Sequence, residues 1–300
     1  MIAKTLSFGS LGRLTVKNLQ LVYDGEDGVH RTFPIEDLGF VMIETGLMTI
    51  SSSCIQHLAE NNVALVVCDK SHTPSAQMLP FSAHTTAHET VMSQIAATDA
   101  VNGRLWRQIV KAKIRNQAVL LKKLNYESQS RRLFNMAEEV KNRDVGNLEA
   151  QAARIYFQAL APVEGFVRDK DGPWPNSALN YGYAILRAAV ARALVGSGLN
   201  CMIGIHHHNR YNAFCLADDM MEPYRPFVDQ YVFQEGSIFR DKDMILTKET
   251  KAVFLSALTC DVVMGSVTRP LSIALTFTAA SLAKYYLGKA ESLVLPEFVE

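Results

Sequence analysis

The hydrophobic pattern changes period once, between about residues 80 and 89, and that change limits the architecture more than any other feature of the chain. Before it, apolar residues come in runs of strand length, at 14–16, 19–23, 39–43 and 63–67. Asp24-Gly25 and Asp27-Gly28 punctuate them as turns do. One short helix is expected over 54–60, capped by Ser52 or Ser53 and ended by Asn61-Asn62. From Glu89 onward the period is helical: beyond a long segment within 100–126, helices are predicted over 128–140, 147–161, 176–194, 214–221, 247–258 and 271–286. Asn147 suits the capping position of its helix. Residues 71–88 are polar, uncharged and broken by Pro74 and Pro80, so they read as a connection; His72, His84 and His88 show no ligand spacing there. The loop 168–175, RDKDGPWP, is turn-rich and expected to move. At 300 residues the chain is long enough for two domains. The pattern predicts an α+β protein: a small β-rich N-terminal domain over residues 1–80, then a larger all-helical domain over 81–300.

Composition excludes several classes. Five cysteines, at 54, 68, 201, 215 and 260, are odd in number and form no Cys-x-x-Cys pair, which argues against a disulfide framework and a zinc ribbon. The apolar runs 193–205 and 271–283 are shorter than the ~20 residues of a membrane span. The start, MIAKTLSFG, has no secretory apolar core. A soluble, cytoplasmic protein is expected. Formal net charge is zero, so any affinity for nucleic acid must reside in a local patch.

One such patch is visible. Between Ala100 and Tyr126 there are seven basic residues and no acid. On a helix Arg104, Arg107, Lys111, Arg115 and Lys122 fall within a stripe ~80° wide, while Lys113 and Lys123 lie off it. The rest of the surface is largely apolar. A solvated or internally paired edge is one reading; a seat for a phosphate backbone is the other.

Familiar catalytic signatures are missing. There is no Gly-x-Gly-x-x-Gly after a strand, no phosphate-binding GxxxxGK[ST], no HExxH or ExxH, and no Gly-x-Ser-x-Gly elbow. What remains is the stretch GIHHHNRYNAFCLADDMMEPYRP, residues 204–226. Three adjacent histidines cannot all face one point, so at most two of His206, His207 and His208 share a site. Asp218 and Asp219 stand four and three residues before Glu222, and either shares a helix face with it. Carboxylates so placed repel unless a cation or proton intervenes. Mixed oxygen and imidazole ligands suit Mg²⁺ or Mn²⁺. Glu149, at the start of a helix followed by Ala152 and Ala153, is a further acid whose simplest role is as a partner of the helix dipole. A DNA-binding scaffold with structural carboxylates, or a small-molecule hydrolase or iron oxygenase using the same cluster, would also satisfy these residues.

Three motifs, in register, resemble the CRISPR-associated integrase family of spacer acquisition. They are Glu149 followed by Ala152-Ala153 and Tyr156-Phe157; Gly204-Ile-His-His207; and Asp219-Met-Met-Glu222-Pro-Tyr-Arg225-Pro226. Asn176-Ser-Ala-Leu-Asn180-Tyr181-Gly182-Tyr183 supports them, and residues 206–226 look most like the type II branch. The resemblance spans nearly the whole chain. It departs in its triple histidine and in a slightly longer spacing from histidine to acid than some branches have.

The resemblance implies that Glu149, His207 and Glu222 hold Mg²⁺ or Mn²⁺, with Asp219 in support. It implies a metal-dependent endonuclease and integrase that inserts short foreign DNA fragments as new spacers into a CRISPR array. The fragment's 3′-hydroxyl attacks a phosphodiester at the repeat end, so the nucleophile belongs to the substrate. The basic stripe, Arg104 to Lys122, then binds duplex DNA by its backbone. Below a pH near ~6.5 protons should compete for a histidine ligand. Implied partners are a second copy of the chain, with the β-rich domain contributing the dimer contact; a small ferredoxin-like CRISPR-associated protein, in a heterohexamer; and the effector nuclease and other adaptation proteins. The cell would be prokaryotic.

Overall fold

The structure, a computed structural model, describes residues 4–70, 74–80, 84–161, 166–169, 172, 174–234 and 248–299, with backbone alone at 248–251. His72 and part of the 168–175 loop lie outside the described residues.

The chain opens with β1 (Lys4–Phe8), β2 (Gly12–Lys17), β3 (Gln20–Gly25), β4 (His30–Pro34), β5 (Leu38–Ile43), β6 (Met48–Ile50), α1 (Ser52–Glu60), β7 (Ala64–Cys68) and β8 (Pro74–Met78). They make two four-stranded sheets, ordered β4-β3-β2-β6 and β1-β5-β7-β8. Strands β2 and β3 are joined by Asn18-Leu19, both at positive φ, as the twist of a two-residue hairpin requires. Leu19 therefore sits in the turn, 70% exposed, and not in the strand its hydrophobicity suggested. Helix α1 is capped one residue earlier than predicted: Ser51 Oγ accepts from the Cys54 amide.

All six residues of β5 are buried. Strand side chains alternate, so the two faces of β5 and β7 feed different cores. Phe40, Met42, Ala64, Val66 and Cys68 join the core of the helical region. Val41, Ile43, Val63 and Leu65 pack instead with Leu14, Leu21, Ile35 and Leu58.

The helical region comprises α2 (Ala87–Ile95), α3 (Asp99–Lys123), α4 (Glu127–Glu139), α5 (Leu148–Leu160), α6 (Asn176–Gly196), α7 (Cys215–Met221), α8 (Arg225–Gln234), α9 (Lys248–Ala257) and α10 (Leu271–Tyr286). Helix α3 is its axis, running ~37 Å at the α-helical rise. Thr98 Oγ caps it by accepting from the Val101 amide. Leu105, Trp106, Ile109, Val110, Ile114, Leu120 and Leu121 are buried along it. Each such aliphatic side chain contributes about 2 kcal/mol on burial.

Four local expectations change. The helical region is not purely helical, because β9 (Asp261–Met264), β10 (Val267–Pro270) and β11 (Glu297–Phe298) form a small antiparallel sheet. The predicted connection contains β8, whose polar PSAQM sequence pairs with β7 through the backbone. Asn147 does not cap α5: it adopts a left-handed conformation, and Asp144 accepts from the Leu148 and Glu149 amides at 2.9 Å each. The helix predicted over 214–221 is not followed by a break. A 3-10 turn, Glu222–Tyr224, carries α7 directly into α8, and proline is tolerated in a first turn because its missing N–H would have no partner there.

Among the described residues no helix is long and apolar enough to cross a membrane, and all five cysteines are free.

Candidate metal centre

Four of the residues singled out in the sequence, Glu149, His207, Asp219 and Glu222, gather along one side of α3, where α5, the loop before α7, and the 3-10 turn come together. Each is held by a neighbour. The carboxylate of Asp144, buried under the start of α5, fixes the turn that presents Glu149. Asn116 of α3 donates through Nδ2 to the Pro223 carbonyl at 2.8 Å and to the Pro296 carbonyl at 2.9 Å. That clamps the turn presenting Glu222 against α3.

Asp219 is fully buried and organises the histidine loop. Its Oδ2 accepts from the backbone amides of Ile205 at 2.6 Å and His206 at 3.0 Å. Its Oδ1 faces the His207 amide at 3.2 Å and His207 Nδ1 at 2.6 Å. A proton assigned to Nδ1 satisfies the last contact and leaves the Nε2 lone pair free. The hydrogen bond to Asp219 raises the pKa of His207, against the opposing effect of burial. Gly204 is required by space: a Cβ there would lie 2.2 Å from the His207 carbonyl oxygen and 3.0 Å from Asp219 Oδ2.

The three adjacent histidines separate by contact. His206 lies flat on Trp106, with centroids 4.2 Å apart and planes at 4°. His207 meets the same indole edge-on at 5.9 Å. His208 is exposed. Asp218 turns away to accept from Asn212 Nδ2 at 2.6 Å.

Glu149 and Glu222 converge on the ammonium of Lys113. Its Nζ lies 2.5 Å from Glu149 Oε1 and 2.5 Å from Glu222 Oε2. Arg225 takes the other Glu222 oxygen at 2.9 Å, and its guanidinium lies over the Tyr183 ring at 4.5 Å. Burial would raise the Glu222 carboxyl, but Arg225 and Lys113 together hold it below its ordinary value. Burial likewise works against the charge on Lys113, and Glu222 and Glu149 outweigh it. Glu222 Oε2 is buried and has no well-formed hydrogen bond, its contact with Lys113 being an ion pair only. Among the described residues no three His, Cys, Asp or Glu side chains as they stand enclose a cation.

Lys113 and Trp106 are the residues that the sequence reading passed over. Lys113 lies off the exposed basic stripe. The available signal is a lone cation on the mostly apolar, uncharged face of α3, which needs an anionic partner.

Of the two readings of the stripe, internal pairing holds for part of it. Glu138 of α4 pairs with Lys111 at 2.7 Å and Arg115 at 2.5 Å, and Arg107 Nε donates to the Val140 carbonyl at 2.9 Å. The acid belongs to the neighbouring helix, out of reach of a projection along one. Arg104 and Lys122 are exposed, Arg104 with Nε 3.5 Å from Tyr285 Oη.

Residues 8–260 match the family described as CRISPR associated protein Cas1. A CRISPR-associated endonuclease Cas1 of Neisseria meningitidis serogroup C is 36% identical over 241 residues, which are 79% of this chain and 78% of the relative. One from Pyrobaculum aerophilum is 29% identical, covering 93% of this chain and 96% of the relative. Among solved structures, a casposase bound to integration product superposes with a TM-score of 0.79 at 21% identity, over 96% of this chain and 92% of that one. A CAS1 protein from Thermotoga maritima superposes at 0.74 and 19% identity, over 95% and 97% of the two chains. With its β-strand sheets followed by a helical region, and with that family match spanning Glu149, His207 and Glu222, the chain belongs to the CRISPR-associated Cas1 family.

Proposed function

We propose that this protein is a metal-dependent DNA endonuclease and integrase, which inserts short foreign fragments as new spacers into a CRISPR array. The observation that carries this is the meeting of Glu149 and Glu222 around one cation, with His207 held beside them by Asp219. The relatives named CRISPR-associated endonucleases, and the fold shared with a casposase caught on its integration product, support it.

The donor set fits a hard divalent ion. Two carboxylate oxygens already converge on a positive charge, Glu222 Oε2 lacks a hydrogen bond, and the Nε2 of His207 is left free. Glu149, His207 and Glu222 would hold Mg²⁺ or Mn²⁺. When bound, the ion would supply Lewis-acid stabilisation of the phosphoryl oxygens and of the attacking hydroxyl. The chain's own residues set the rest. Arg225 keeps Glu222 ionised, and Asp219 fixes the ring of His207. The nucleophile is the fragment's 3′-hydroxyl, which forms the new phosphodiester as the repeat strand's 3′-oxygen leaves. Exposed Arg104, Arg107, Arg115 and Lys122, with half-buried Lys111, contact duplex DNA through its phosphates.

A small-molecule hydrolase would place these residues in a deep apolar pocket. A cavity of about 560 Å³ among the described residues is lined instead by residues that include Arg104, Tyr285, Tyr286 and Glu291, and contains none of Glu149, His207 or Glu222.

In the complete assembly, two copies pair with contributions from residues 1–80, and a small ferredoxin-like CRISPR-associated protein joins two such dimers in a heterohexamer. Solved Cas6-RT-Cas1–Cas2 complexes with this fold are consistent with such partners. The effector nuclease and other adaptation proteins complete the set, in a prokaryotic cytoplasm. Strand transfer of a labelled fragment into a repeat-bearing plasmid tests the reading. Glu149→Gln, His207→Ala and Glu222→Gln should each abolish it. Full activity in these variants would reduce the carboxylates to structure and leave a DNA-binding scaffold.

A further inference from the structure

Glu149 and Glu222 come from different elements, α5 and the 3-10 turn, and both are directed at one point. Two carboxylates cannot share a poorly hydrated site without a compensating cation. Arg225 cannot serve both, because it engages only the far oxygen of Glu222. Lys113 does serve both, and its side chain is only 9% exposed. The ammonium thus stands between the two oxygens that a divalent ion needs.

The charges of Glu149, Glu222, Lys113 and Arg225 cancel. A divalent ion entering among them adds two positive charges for which these four residues hold no counter-charge. It must also displace the ammonium from at least one carboxylate. A lysine can yield in this way: its charge is compact, its stem has four carbons, and its three donors rotate. The anion that would receive it, and would balance the added charge, is a phosphodiester.

We propose that Lys113 is a resident cation of the site: it keeps the metal-free pocket electrically closed, weakens divalent-ion binding in the absence of DNA, and pairs with the DNA phosphate when metal and DNA enter together. This rests on the metal-site reading above. It makes metal and DNA affinities reciprocally coupled through one side chain.

The test is Mn²⁺ binding to the full-length protein by titration calorimetry and electron paramagnetic resonance. It is made with and without a short duplex whose 3′ ends lack hydroxyls, so that nothing reacts. For the wild type, Mn²⁺ should bind weakly alone and on the order of tenfold more tightly with DNA. Lys113→Met should bind Mn²⁺ alone on the order of tenfold more tightly than the wild type, and DNA should add little. Lys113→Gln, polar but uncharged, should behave like Lys113→Met, which separates charge from packing. Without metal, Lys113→Met should melt below the wild type, and Mn²⁺ should restore it more than it stabilises the wild type. Equal Mn²⁺ affinity in wild type, Lys113→Met and Lys113→Gln, or unchanged coupling to DNA in the variants, would overturn the proposal. Glu149→Gln and Glu222→Gln serve as the control on the site. If they bind Mn²⁺ as the wild type does, the metal-site reading itself fails.

Discussion

Replacing Asp219 by asparagine separates a scaffold from a ligand. The carboxylate accepts from three backbone amides and from His207 Nδ1, two donors on each oxygen, and has no exposed surface. Asparagine keeps the shape but offers one oxygen, so whichever way its amide turns, two of the four donors meet an NH₂ group. A hydrogen bond to a charged group is worth about 1.5–3 kcal/mol. Losing two costs roughly 3–6 kcal/mol, and relief of a buried charge returns part of it. A net loss of about 3 kcal/mol is expected in urea unfolding monitored by circular dichroism with a chelator present. Because Asp219 also fixes the His207 ring, Mn²⁺ affinity should fall about 10–100-fold. An Asp219→Asn protein as stable as the wild type without metal, yet unable to bind Mn²⁺, would refute this reasoning and make Asp219 a direct ligand.

Three further outcomes follow from named contacts. Gly204→Ala places a methyl group 2.2 Å from a backbone oxygen, so it should displace the histidine loop and abolish Mn²⁺ binding while α3 and its core persist; a fully functional Gly204→Ala protein would contradict the close approach. Glu138→Gln frees Lys111 and Arg115, so non-specific duplex affinity should rise and its logarithmic salt slope should steepen by about 1–2; an unchanged slope would show that this part of the stripe does not touch DNA. Asp229 is buried beneath Tyr156 and Tyr183, whose hydroxyls donate to it, near Arg225 and Arg168; burial nonetheless pushes its carboxyl up from 3.8 to about 6. Between those pH values the unfolded chain gives up the proton first, so rising pH favours unfolding through this group by about 3 kcal/mol. Comparing urea unfolding of wild type and Asp229→Asn at pH 4 and 7 should show that limb only in the wild type; parallel profiles would disprove it.

Much of the fold is legible where burial is one-sided and periodic. Helix α10 begins and ends where its apolar pattern does, and β5 and β7 follow from continuous apolar runs. Strands β8, β9 and β10 are not legible, since four or five residues that pair through the backbone leave little periodic trace. Local capping at α5 is ambiguous in the sequence because Asn147 and Asp144 are both suitable residues, and only the backbone decides between them. At the site, helical spacing could put Asp218 or Asp219 beside Glu222. Tertiary contacts decided it, with the Ile205–His207 backbone claiming Asp219. The stacking of His206 on Trp106 and the reach of Lys113 to Glu149 join residues from distant parts of the sequence, and no local pattern carries such information.

The division of β5 and β7 between two cores has a consequence for how the molecule comes apart. Neighbouring residues such as Val41 and Met42 answer to opposite sides of one sheet. A fragment ending near residue 80 would bare Phe40, Met42, Ala64, Val66 and Cys68 to water, and the remaining helices would lose the surface that covers them. The β-rich and helical regions should therefore melt in a single calorimetric transition, although their sequences look like separate modules.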